Sequence, residues 1–120
     1  MYIVVGANGY LGTYMMKHIL ADTDEEILAV ARSAGKYLHE RIRWVSCDIT
    51  SADDVAALNE TYLSKNIDNK IIYLAAYHHP DKVEKNPRIA WDTNVTALSR
   101  FLNTAENVKC FFYPSSDSVY

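Results

Sequence analysis

Tyr2-Ile3-Val4-Val5-Gly6-Ala7-Asn8-Gly9-Tyr10-Leu11-Gly12 is the stretch that decides how this chain folds. An apolar run passes directly into three glycines spaced G-x-x-G-x-x-G, and a helical pattern follows. A buried strand entering a glycine-rich turn and then a helix makes a pyrophosphate site, because the helix start offers free N–H groups and partial positive charge. Gly6 is expected to permit the tight turn, Gly9 to let the backbone approach the phosphates, and Gly12 to let the helix lie close on the strand. Asn8, Tyr10 and Leu11 share this turn and helix start, and they join the expected cofactor-binding set. The spacing departs from G-x-G-x-x-G, so the placement between strand and helix carries more of the argument than the glycines do.

Working outward, four more apolar segments read as strands: Glu26–Ala31, Arg43–Val45, Lys70–Ala75 and Lys109–Tyr113, after the first at Tyr2–Val5. Most are continuous apolar runs, the pattern of a parallel sheet covered on both faces. Helical patterns fall between them. Leu11, Met15, His18 and Ile19 share one face of the first. Ser51 caps the next, with Asp54 at its third position and Val55, Leu58 and Tyr62 as its stripe. Asn86-Pro87 is a cap and first-turn pair leading into Trp91, Val95, Leu98, Leu102 and Ala105. Arg32 to Glu40 has weak helical character. The fold class is α/β: a Rossmann-type doubly wound parallel sheet, its first strand central and its first helix starting at the nucleotide crevice.

Composition narrows the function. The 120 residues hold one domain with a modest core, and 49% hydrophobic content argues against disorder. A formal charge of −3 without a basic stripe gives no support for a nucleic-acid partner. Cys47 and Cys110 match no zinc or redox spacing, and each reads as a small buried thiol. The longest apolar run, Ile71 to Tyr77, is strand-sized, and there is no charged leader, so a soluble cytoplasmic protein without a membrane partner is the default expectation. The last residues, Ser115 to Tyr120, follow an apolar run with no polar tail. Residues 1–120 therefore read as the N-terminal portion of a dinucleotide-binding domain, with the remaining strands and the substrate-binding part lying beyond it.

The end of the second strand bears on the choice of nucleotide. A carboxylate there accepts hydrogen bonds from both ribose hydroxyls of NAD and repels a ribose phosphate. The chain has Arg32-Ser33 instead. Arg32 can fork onto a phosphate and Ser33 can donate beside it, so NADP is expected in preference to NAD. Asp48 after the third strand is placed to accept the adenine amino group, with Ile49 covering an apolar edge of the base; a capping role near Ser51 is its structural alternative.

The ordered set Gly6–Gly12, Asp48-Ile49, Leu74-Ala75-Ala76, Asn94-Val95 and Ser115-Ser116-Asp117-Ser118-Val119-Tyr120 resembles the extended short-chain dehydrogenase/reductases. More narrowly, it resembles the NAD-dependent epimerase/dehydratase family, whose members often act on nucleotide sugars. The resemblance implies that Leu74, Ala75 and Ala76 line the cofactor channel and that Asn94 stabilises the central helix and active-site arrangement. It places Ser116 at the catalytic serine/threonine position, holding the substrate oxygen as hydride moves, with Ser118 as a neighbouring substrate contact. Tyr120 is not the catalytic tyrosine of that family, which belongs to a downstream Y-x-x-x-K segment.

His78-His79-Pro80-Asp81 lacks the spacing of a helical metal site, so no metal is assigned. His78 stands as a candidate substrate contact. The resemblance implies that the whole protein transfers hydride on an alcohol or carbonyl, the substrate a small molecule or nucleotide sugar, and that it works as a homodimer. A non-catalytic NAD(P)-binding redox sensor is the alternative.

Overall fold

The computed structural model describes residues 1–75, 88 and 95–114. Strands β1 (Tyr2–Val5), β2 (Ile27–Ala31), β3 (Ile42–Ser46), β4 (Asn69–Tyr73) and β5 (Val108–Phe112) form one parallel sheet in the order β3-β2-β1-β4-β5. All five expected strands are present, β1 at its expected bounds and the others with ends displaced by a residue or two, and β1 is central as expected. Ile3 pairs with Leu28 on one side and Ile71 on the other, while Val4 pairs with Ala29 and Ile72. These two rows point to opposite faces and all six residues are buried. Continuous apolar strands follow directly from that double burial.

Helix α1 (Tyr10–Asp22) covers one face, with Val4, Ala29 and Ile72 packed beneath Met16 and Ile19. Its buried residues are Gly12, Met16 and Ile19; of the expected face Ile19 is buried and Met15 packs at the core edge, but Leu11 and His18 do not face the sheet. Gly12 explains the difference: a Cβ there would lie 2.7 Å from the Ala7 backbone. The glycine is the contact point, and it rotates the helix so that residues four and seven positions later face the sheet. Leu11 and His18 are left exposed. The last carbonyls of α1 are met from a distance by Arg41, whose guanidinium donates to Leu20 O at 2.6 Å and Thr23 O at 2.8 Å.

The other face carries α2 (Ala52–Thr61) and α3 (Ala97–Thr104). Ser51 caps α2 as expected, its Oγ accepting from Asp54 N at 3.3 Å, and Val55 and Leu58 are buried. In α3 the buried residues are Ala97 and Phe101; Leu98 and Ala105 pack at the core edge, but Val95 and Leu102 are exposed. The aromatic ring sets this rotation, since Phe101 meets Tyr73 edge-on with centroids 5.5 Å apart. The expected helix start at Asn86-Pro87, and Trp91, lie outside the described residues.

Asparagines join the elements at the end of the sheet opposite the glycine turn. Asn69 Nδ2 donates to Leu63 O at 2.9 Å and Glu106 O at 3.0 Å. Asn59 Oδ1 accepts from Glu106 N, and Asn107, at φ +57°, donates to Leu63 O at 3.2 Å. Glu25 binds both Lys70 and the Met1 ammonium.

Two further expectations fail at this level. Residues 32–40 contain no helix. Cys47 is buried as expected, but Cys110 is exposed. Cys110 lies on β5, at the edge of the sheet, and β5 turns Phe111 toward the Phe101 core while its other residues stay exposed.

Candidate functional site

The carboxyl ends of β1, β2 and β3 open into a cavity of about 490 Å³. Val5, Gly6, Asn8 and Gly9 come from β1 and its turn, and Val30, Ala31, Arg32 and Ser33 from β2 and its exit. Cys47, Asp48, Ile49 and Thr50 come from the β3–α2 connection, and Ala75 from the segment after β4. Strand order reverses beside β1, since the chain winds out to β3 on one side and to β5 on the other. A crevice at such a switch point is where open parallel sheets bind ligands.

The glycines build this end of the sheet in different ways. Gly6 has φ +86°, and a Cβ on it would come within 2.7 Å of Ala75 N. It is glycine for the sake of the fold, letting β1 turn against the β4 exit. Gly9 has φ −82°, and a Cβ there would meet only Gly6 O, at 3.7 Å. Packing does not require a glycine at that position. Gly9 is also the residue before α1, and no side chain caps the helix start and no acidic residue occupies its first turn. The first-turn N–H groups thus lack a side-chain acceptor beside an open cavity, and these residues fit the pyrophosphate of a dinucleotide.

Asp48 is fixed by its neighbours. Its Oδ1 accepts from Thr50 Oγ1 at 2.7 Å and from Thr50 N at 3.0 Å. These bonds, with a smaller contribution from the Arg32 charge, hold its carboxyl below the usual range. Ser51, not Asp48, is the cap of α2. Arg100 of α3 donates to Thr50 O at 3.0 Å and ties this turn to the helix beside α2. Burial, followed by the Asp54 and Asp48 charges, pushes the Cys47 thiol up to about 11, so it lines the cavity as an uncharged wall. Ser46 Oγ donates to Arg32 O at 2.8 Å, and Asn8 Nδ2 donates to Ser33 Oγ at 3.4 Å.

Of the expected cofactor residues, Gly6, Asn8, Gly9, Arg32, Ser33, Asp48, Ile49 and Ala75 come together at the cavity. Tyr10 lines a shallower hollow on the far side of the turn, with Thr13 and Lys17. Gly12 contacts Ala7, Leu11 is 46% exposed, and Leu74 packs into the α1-side core. Ala76, His78, Asn94, Ser116 and Ser118 lie outside the described residues. Sequence reading missed Cys47 and Thr50; their adjacency to Asp48 and Ile49 was the available signal. Among the described residues no cluster of three or more His, Cys, Asp or Glu is placed to hold a metal, and no helix is long and apolar enough to cross a membrane.

The chain belongs to the NAD dependent epimerase/dehydratase family, which it matches over residues 2–120. No curated protein matches it. Among solved structures, it is similar to the Bordetella bronchiseptica enzyme WbmF in complex with NAD+, at 22% identity and a TM-score of 0.75, covering 99% of this chain and 38% of that one. MoeE5 in complex with UDP-glucuronic acid and NAD gives 21% identity and a TM-score of 0.78, with 99% and 38% covered. Epimerase Mth375 from Methanothermobacter thermautotrophicus gives 19% and 0.78, with 97% and 35% covered. The chain thus spans little more than a third of the length of these proteins, and at such identities the likeness establishes the fold.

The expected preference for NADP is corrected by these relatives. WbmF is held with NAD+ and with NADH, and MoeE5 with NAD. The cavity offers a physical reason. Arg32 and Asp48 line the same cavity, so a ribose phosphate there would meet a carboxylate as well as the guanidinium. An arginine after β2 is therefore a poor guide to a 2′-phosphate.

Proposed function

We propose that this chain supplies the NAD(H)-binding part of an enzyme that moves hydride to and from an alcohol or carbonyl carbon of a nucleotide sugar. The observation that carries the reading is the open cradle at Gly9, glycine without a packing need, between an uncapped helix start and the cavity. Family membership and the UDP-sugar complex of MoeE5 support the reaction class and the substrate class.

In this reading the Gly9 backbone and the first turn of α1 hold the pyrophosphate. Asn8, Arg32 and Ser33 face the adenosine ribose, and Asp48 and Ile49 receive the adenine. Ala75 and Ala76 keep the channel to the nicotinamide narrow, and Asn94 supports the arrangement. Ser116 donates a hydrogen bond to the reacting oxygen, while Ser118 and His78 contact the rest of the substrate. The bound dinucleotide supplies the hydride acceptor and donor, and the protein contributes placement and charge.

The test is to incubate the full-length protein with NAD+ and a panel of UDP-sugars, following the sugar by NMR and NADH by absorbance. Conversion of a nucleotide sugar is expected, with Ser116→Ala lowering kcat about 100-fold or more, the usual loss for a positioned oxyanion donor. Dinucleotide binding without turnover of any alcohol or carbonyl substrate would contradict the proposal.

A further inference from the structure

Arg32 and Ser33 begin an irregular connection that runs from β2 to β3, and both stand in the cavity wall. Irregular segments keep a fixed position only where contacts hold them. Here the middle of the connection rests on Trp44 of β3, partly buried in the α1-side core beside Tyr37. Its indole N–H donates to Tyr37 O at 2.9 Å. The ring edge lies directly over Gly35, where an added Cβ would stand 2.3 Å from Trp44 Cη2 and 3.0 Å from Asn8 Oδ1. Gly35 is therefore the thin spacer between the indole and the glycine turn. On its cavity side Asn8 Nδ2 reaches Ser33 Oγ at 3.4 Å, and Ser46 Oγ holds Arg32 O at 2.8 Å. Lys17 of α1 lies over the Tyr37 ring, 5.5 Å from its centroid.

We infer that Trp44 and Gly35 are positioning residues for the adenosine end of the cofactor, fixing Arg32 and Ser33 against Asn8 so that the rim discriminates a ribose hydroxyl from a ribose phosphate. The inference rests on the dinucleotide reading above. A rim pinned to Asn8 presents its donors at hydroxyl range, with the Arg32 backbone held. Released, the planar guanidinium fork is free to follow a phosphate. Trp44 is pinned through its own hydrogen bond, so it cannot yield to a side chain at position 35 without giving up Tyr37 O.

Calorimetric titration of the full-length protein with NADH and NADPH tests this in wild type, Gly35→Ala and Trp44→Phe. Gly35→Ala displaces the indole; Trp44→Phe removes both the N–H bonded to Tyr37 O and the Cζ2–Cη2 edge that lies over Gly35. In both variants the ratio of the NADPH to the NADH dissociation constant is expected to move about tenfold toward NADPH, about 1.4 kcal/mol. A purely structural role would weaken both nucleotides alike and leave that ratio in place. An unchanged ratio in the folded variants overturns the inference, and if Gly35→Ala does not fold, Trp44→Phe decides. Wild type binding neither nucleotide is a separate result, which rejects the dinucleotide reading and this inference with it.

Discussion

Gly6 and Gly9 stand three positions apart and owe their identity to different forces. Gly6 is required by the backbone, at φ +86° and against Ala75 N. Gly6→Ala combines a left-handed conformation with a steric collision, and a loss of about 2–4 kcal/mol in urea denaturation is expected. A loss below about 0.5 kcal/mol would show that the turn relaxes freely. Cys47 makes a second prediction at this scale. Its ordinary value of 9.0 rises to about 11 in the fold. A raised folded value means that the stability from keeping the thiol protonated is complete below pH 9 and is lost as pH rises through about 11. Wild type is therefore expected to lose stability relative to Cys47→Ala across that window, by an amount on the order of 1–3 kcal/mol. Parallel stability curves would contradict it. Nothing in the G-x-x-G-x-x-G spacing separates the two kinds of glycine, because the distinction lies in φ and in what a Cβ would touch.

Element by element, strands were the most legible feature, since burial on both faces writes itself as continuous apolar runs. Ser51 and the Val55–Leu58 stripe of α2 were equally readable, because cap and stripe are local signals. The rotation of α1 was not, because a glycine at position 12 sets it, and hydrophobicity assigns that residue no face. The segment after β2 was misread as weakly helical because its order comes from Trp44 and Asn8, residues distant in sequence. Asn69 illustrates the same limit. It reads as a polar residue entering a strand, yet it is fully buried and bridges the α2 exit and the α3–β5 connection. Asn69→Ala removes both bonds, leaving Leu63 O with the Asn107 donor alone, and about 1–3 kcal/mol of destabilisation is expected by chemical denaturation. A neutral result would mean that those carbonyls find other donors.

In the whole molecule, the sheet order β3-β2-β1-β4-β5 places the glycine turn, the β2 exit and the Asp48 turn around one crevice. That convergence was legible, because right-handed crossovers in a parallel sheet leave few alternatives. The choice between NAD and NADP was not, because one arginine near a strand end does not reveal the carboxylate that shares its cavity. Gly9 is kept open for a ligand and not for packing, in the dinucleotide reading proposed above. NADH titration into the full-length protein, wild type against Gly9→Ala, tests it most directly. Unchanged unfolding stability is expected, with NADH affinity lowered at least about tenfold, or about 1.4 kcal/mol. Equal affinity in the two proteins, or no NADH binding by wild type, would contradict it.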